Sequence, residues 1–193
     1  MSEQSENGIH PVIAVVGAIA IAVGIIGAYL WVTYKGPVHT GQIVSLSAYP
    51  IHRELSTGSS LGGVDGGKNV YDETIVIADV RIQSTTKLPL FLSDTYGDVT
   101  LPDGEVQSCL AADATDANEA FIAYPDLAGQ KKAPLPRGIT MTPGQVVEGQ
   151  VIFHYPISKQ DWEGRKGFDV TVRFINQKSL VLHTGPEQQQ AAK

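Results

Sequence analysis

The sequence is short of several things, and each shortage excludes a class. Of 193 residues, one is cysteine (Cys109), so no intrachain disulfide framework and no cluster of thiolates for a metal can form. Lys and Arg number 14 against 20 Asp and Glu, a formal net charge of −6. With no basic excess to displace counterions from phosphates, nucleic acid is not an expected partner. Charged residues make up 18% and hydrophobic ones 42%, a balance that excludes disorder throughout the chain. No nucleophile elbow, phosphate-binding loop or HExxH motif occurs. No repeat of 20–50 residues is visible, which argues against a solenoid.

What is present begins with one long apolar run. Pro11 to Val32 reads PVIAVVGAIAIAVGIIGAYLWV, 22 residues without a charge. As a helix it spans about 33 Å at ~1.5 Å per residue, which matches a hydrocarbon core of roughly 30 Å. Pro11 suits a first helical position, and Tyr29, Trp31 and Tyr34 gather at the far end as interfacial aromatics do. The preceding MSEQSENGIH has no Lys or Arg, unlike a cleaved signal peptide, and no cysteine follows the run to accept a lipid. The expectation is an uncleaved single-pass anchor that makes the protein an integral membrane component. Within it, Gly17, Ala20, Gly24, Gly27 and Ala28 supply small-x3-small pairs, which allow close helix packing for self-association or docking to a membrane partner. Lys35 at the helix end favours a cytoplasmic domain by the positive-inside rule. The short N-tail of a signal anchor favours the opposite side.

Beyond the anchor the 20 Gly and 11 Pro punctuate short strand-like segments. Gln42–Tyr49 reads as a strand, and Ser56–Asn69 as a flexible Gly/Ser loop. Asp72–Thr85 is the clearest strand. Ile75, Ile77, Asp79, Arg81 and Gln83 share one face, and Val76, Ala78, Val80 and Ile82 the other, so its first half is apolar on both sides. Leu88–Ser93, Gly97–Leu101, Val106–Leu110, Val146–Tyr155, Phe168–Phe174 and Ser179–His183 follow as strands, with turns at Pro102-Asp103-Gly104 and Pro143-Gly144. Asp116 and Glu119 have capping-box spacing before a short helix at Ala120–Tyr124. The expected class is mainly β: an immunoglobulin-like antiparallel sandwich behind one membrane helix. The layout divides into a polar tail 1–10, a spanning helix 11–34, a linker 35–40, a sandwich 41–184 and a disordered tail 185–193.

Four features in order resemble the telokin-like, immunoglobulin-like domains of unknown function found in bacterial lipoproteins and membrane-anchored proteins. They are the strand Thr74–Thr86, the Leu88-Pro89-Leu90 segment, the Asp103-Gly104 hairpin, and Thr142–Pro156 with its Pro-Gly, Gly, Phe and Pro positions. The similarity covers about Asp72–Phe174. It implies a domain outside the cytoplasm at the cell membrane and no catalytic residues. The 14-residue Gly/Ser loop, the 108–138 insertion and the missing lipid-acceptor cysteine depart from the family.

Candidate chemistry is thin. Blue copper needs two His, a Cys and a weak Met ligand, but Cys109 has no neighbouring His and Met141 lies in another loop. His39, His52 and His154 could hold a metal only if folding joined them, since no H-x-H or H-x3-H spacing exists. Asp113–Glu119 lacks the Asp-x-Asp-x-Asp-Gly order of a calcium loop and reads better as a helix cap. Cys109 reads as a small buried apolar residue. No cofactor is expected. Three aromatic segments remain as a contact surface: Tyr49 to Arg53 with His52, Phe121 to Pro125 with Tyr124, and Trp162 with Arg165. Trp162 fits either an exposed contact or a core plug. The functional expectation is a non-enzymatic interaction or assembly module at the membrane surface. The alternatives are a metal-binding or electron-transfer domain and an accessory subunit of a larger membrane complex.

Overall fold

A computed structural model describes residues 11–33, 37–56 and 68–184. The chain divides into two units, Met1–Val38 and His39–Lys193. The expected tails 1–10 and 185–193, and positions 57–67 of the Gly/Ser loop, lie outside the described residues.

The first unit holds helix α1, Pro11–Thr33. Its 23 residues carry no charge, and at ~1.5 Å each they measure about 35 Å. Val15, Val16, Ile19, Ile21, Val23, Ile25, Ile26 and Tyr29 are all exposed, around most of its circumference. Gly17, Gly24 and Gly27 have nothing within 4 Å of a built Cβ, and Ala20 and Ala28 are exposed. Over the residues whose side chains are described, no helix is long and apolar enough to cross a membrane.

The second unit is mainly β, with two antiparallel sheets. One has the order β1-β2-β6, from β1 (His39–Ser56), β2 (Lys68–Ser84) and β6 (Val146–Tyr155). The other runs β4-β3-β7-β8, from β3 (Leu90–Thr100), β4 (Val106–Leu110), β7 (Gly167–Phe174) and β8 (Leu180–His183); β5 (Ile139–Met141) pairs with the start of β3. Period-2 alternation builds the core between the sheets. Val76, Ala78, Val80 and Ile82 of β2 join Val151, Phe153 and Tyr155 of β6 and Phe168, Val170, Val172 and Phe174 of β7. Phe153, Tyr155, Phe168 and Trp162 form a chain of tilted and edge-on rings with centroids 5.6–6.5 Å apart. Gly97 of β3 makes this possible: a Cβ there would lie 2.4 Å from the Tyr155 hydroxyl oxygen.

Several expected boundaries shift. The sandwich begins at His39, and Ser56, Lys68 and Asn69 belong to strands, so β1 and β2 form a longer hairpin than the sequence pattern indicates. Leu88–Ser93 and Gly97–Leu101 are not two strands. They are one, β3, with a register irregularity between Leu92 and Thr95 that accommodates Ser93 and Asp94. Helix α2 spans Ala114–Ala123, a turn and a half earlier than expected. Its cap is Asp113, whose carboxylate accepts from the backbone N–H of Thr115 (2.8 Å) and Asp116 (2.9 Å). Those two backbone donors hold the Asp113 carboxyl below the usual carboxylate range. A short helix α3, Lys159–Glu163, was not foreseen, although Ser158 and Asp161 make a reciprocal capping box.

Residues 111–138, inserted between β4 and β5, explain why the first half of β2 is apolar on both faces. Helix α2 and a 3-10 helix at Pro125–Gln130 lie on the outer face of β1-β2-β6. There Ala117, Phe121 and Leu127 bury Ile51, Ile75, Ile77 and Ile152 in a second, smaller core. The chain then runs along the β6 edge. Pro134 bridges Gln150 in parallel, Leu135 N–H donates to the Gln150 carbonyl (2.8 Å) and Gln150 N–H to the Ala133 carbonyl (2.9 Å). That covers an edge otherwise open to pairing. Gly149 permits the approach, because a Cβ there would sit 2.4 Å from Leu135 Cα.

Candidate contact surface

Two of the three aromatic segments meet on the outer face of β1-β2-β6. Strand alternation turns Tyr49, Ile51 and Arg53 of β1 toward the α2 side. Tyr124, the C-cap residue of α2, stands against them. The Tyr49 and Tyr124 rings are 5.9 Å apart. Arg53 donates from Nη2 to the Tyr124 hydroxyl oxygen (2.6 Å), with its guanidinium carbon 5.4 Å from that ring's centroid. Tyr49 donates to Asp126 (3.3 Å); desolvation and the Asp126 carboxylate hold the Tyr49 phenol above its ordinary value, so it stays protonated. Phe121 lies beneath this cluster and is buried, which makes it support for the surface rather than part of it.

The remaining expected residues are elsewhere. His52 points to the opposite face of β1, where Nδ1 lies 2.6 Å from Asp72 and Nε2 3.8 Å from Glu54. Trp162 is 2% exposed and belongs to the core between the sheets. Its indole is the core plug of the two readings, because Phe168 and Arg165 close over it. Arg165 stacks 3.9 Å from the Trp162 ring centroid and donates from Nη1 to the Trp162 carbonyl (2.8 Å).

Helix α2 stands between two grooves. One, of about 360 Å³, lies toward β4 and β6 and is lined by Ile75, Cys109, Leu110, Ala120, Tyr124 and Ile152. The other, of about 450 Å³, is lined on its polar side by Asn118, Lys131, Lys132 and Gln150. Cys109 is half-buried at the first groove, not fully buried as expected, because β4 is an edge strand with its partner on one side only. Its thiol donates to the carbonyls of Leu110 (3.3 Å) and His154 (3.4 Å), while the His154 ring is paired with Glu73 (3.1 Å).

Among the described residues the histidines do not converge. His39 and His52 sit near opposite ends of β1. His39 stacks on Phe174 (centroids 4.5 Å) with Nε2 2.7 Å from the Lys178 carbonyl. His183 pairs with Asp169 (2.9 Å). Among the described residues no group of three or more His, Cys, Asp or Glu could hold a metal ion.

Sequence reasoning missed a polar cluster below the second groove. Asp79 of β2 accepts from Ser45 (2.5 Å), from Gln150 Nε2 (3.3 Å) and from the Lys132 ammonium. Burial pushes the Asp79 carboxyl up, but hydrogen bonds from Lys132, Ser45 and Gln150 and the Lys132 charge outweigh it, and the net shift is downward. Gln150 also donates to the Gln130 carbonyl (2.8 Å). Its one visible signal was Asp79, the first polar residue after Ile75 and Ile77 on that strand face.

No protein-family model matches the chain, and no curated protein matches it. Two solved structures are similar at low level. The yjhA protein from Bacillus subtilis is 11% identical with a TM-score of 0.38, covering 82% of this chain and 87% of that one. A conserved hypothetical protein from Bacillus anthracis is 11% identical with a TM-score of 0.31, covering 77% of this chain and 99% of its own.

Proposed function

We propose that the protein is a single-pass membrane-anchored β-sandwich that works as a non-enzymatic interaction or assembly module at the membrane surface, on the extracytoplasmic side. The observation that carries this reading is helix α1. It has 23 residues and no charge, and apolar side chains are exposed around most of its circumference. A helix apolar all round is stable only when it is buried, in a protein core or in lipid. No described part of its own unit covers it, and ~35 Å suits a bilayer.

The strand order supports an immunoglobulin-like assignment. In chain order β1, β2 and β6 take the places of strands A, B and E, and β3, β7 and β8 those of C, F and G. Strand β4 adds an edge beside β3, and β5 pairs with β3 instead of β6. For a protein partner, the Tyr49–Arg53–Tyr124 cluster beside the apolar groove offers rigid aromatics, an Arg and a concave apolar floor, the composition of an interface centre.

Fractionation tests the anchor. Membranes washed with alkaline carbonate should keep the full chain in the pellet and release it only into detergent. Recovery of the intact chain in the carbonate supernatant overturns the reading.

A further inference from the structure

We propose that the end of the sandwich where β1 begins is a lipid-facing surface that rests on an anionic bilayer; this deepens the anchor reading and depends on it. Four chain passages meet at that end. They are the start of β1, the 85–89 connection into β3, the 142–145 turn into β6, and the 175–179 turn between β7 and β8. Backbone bonds tie them together. Ser84 N–H donates to the Gln145 carbonyl (2.9 Å), Ile175 N–H to the Phe91 carbonyl (2.9 Å), and the His39 ring meets the Lys178 carbonyl.

This end is apolar and basic where the chain as a whole is acidic. Leu88 is 70% exposed, Ile175 54% and Phe91 48%, large apolar side chains in water with no protein over them. Lys87 and Lys178 are exposed among them, and positions 85–89, 142–145 and 175–179 contain no Asp or Glu. The opposite end differs. Its 101–105 and 156–166 connections hold Asp103, Glu105, Asp161 and Glu163 against Lys159, Arg165 and Lys166. Exposed apolar groups interleaved with lysines are the composition that binds an anionic lipid surface, through apolar burial plus attraction to headgroups.

The test uses the full chain in phosphatidylcholine vesicles with phosphatidylglycerol as the anionic component. In a Cys109→Ser background, single Leu88→Cys, Ile175→Cys and Glu105→Cys substitutions carry a polarity-sensitive fluorophore, and headgroup spin-labelled lipid is the quencher. Quenching at positions 88 and 175 should exceed that at 105 severalfold. Adding Lys87→Glu with Lys178→Glu should bring position 175 down to the level of 105. Circular dichroism of each variant checks the fold, and the two independent probe positions guard against one failing variant. Equal quenching at 88, 175 and 105 in protein that stays with the vesicles through a carbonate wash overturns the lipid-facing surface and leaves the anchor standing. Release of the chain by that wash overturns both. A probe at 88 that is shielded equally with and without vesicles, by a second copy of the chain, overturns the lipid assignment in favour of self-association.

Discussion

The outer face of β1-β2-β6 has two halves that share the same three strands and differ in what covers them. In one, Ile51, Ile75, Ile77 and Ile152 are buried under α2 and the 3-10 helix. In the other, Arg81 pairs with Glu148 in the open (3.1 Å, both side chains more than half exposed), beside an exposed Gln83. Asp79, with Lys132 and Gln150, marks the border. The strands themselves do not decide which half is apolar. The insertion does, by removing water from one half only, and each side chain of β2 on this face matches what lies above it.

This contrast is best broken at Ile77 and Arg81, four residues apart on one face of one strand. Ile77→Ala leaves a cavity between β2 and the insertion and should cost about 3–4 kcal/mol, whereas Arg81→Ala should stay within ~0.5 kcal/mol. Urea unfolding midpoints at equal m-value measure both. Comparable losses at the two sites would mean that the insertion does not shield Ile77 from water. Phe121→Ala approaches from the covering side and should cost about 3 kcal/mol. Amide exchange should separate its effect: α2 loses protection while β7 amides keep theirs. Uniform loss across both would make the second core inseparable from the first.

The sandwich core was legible because it depends on one local rule. Alternation in Phe168–Phe174 and in the even positions 76–82 gives the inward residues directly. Turns were legible where a residue imposes its own geometry, as Gly104 does at φ +99°. The second core was visible only as a puzzle, isoleucines at 75 and 77 where a solvent face should be polar. Its solution depended on a segment further along the chain, whose helix is capped by Asp113. Asp116 and Glu119 offered a competing cap pattern, and the earlier carboxylate prevailed because it reaches two free backbone N–H groups at once. Of the candidate contact residues, Tyr49, Arg53 and Tyr124 came together because their segments pack across that insertion. Trp162 went to the core because α3, a helix too short to show periodicity, turns it inward.

The border between the halves predicts a smaller effect. Lys132→Ala removes the ammonium from Asp79 but leaves Ser45 and Gln150 as donors, so the loss should be about 1 kcal/mol at neutral pH. The sign of its pH dependence follows from the lowered carboxyl. Asp79 is ionised more readily folded than unfolded, so its contribution is complete above the ordinary carboxylate value and fades below about pH 4. The difference in urea midpoint between wild type and Lys132→Ala should shrink on acidification through that range. A difference that is constant down to acid unfolding would remove Asp79 from the account.

The mildest contrast lies within β1, between Arg53 on the covered side and its neighbour His52 on the other. The hydrogen bond to Asp72 and the Asp72 charge hold the His52 imidazole above its ordinary value, with Glu54 adding in the same direction. The folded state therefore favours the imidazolium. Its contribution is present below about pH 6.5, the unfolded value, and is lost as pH rises through the higher folded value. The bond from Arg53 to Tyr124 is the reference that should not respond. Urea midpoints for His52→Asn and Arg53→Ala, each compared with wild type across this range, separate the two. The His52→Asn difference should diminish toward alkaline pH while that of Arg53→Ala stays level. Proton NMR titration of His52 in wild type and Asp72→Asn should place the midpoint lower in the variant. An unchanged midpoint would mean that Asp72 does not hold the ring, and the hairpin beyond the end of β6 would then owe nothing to this pair.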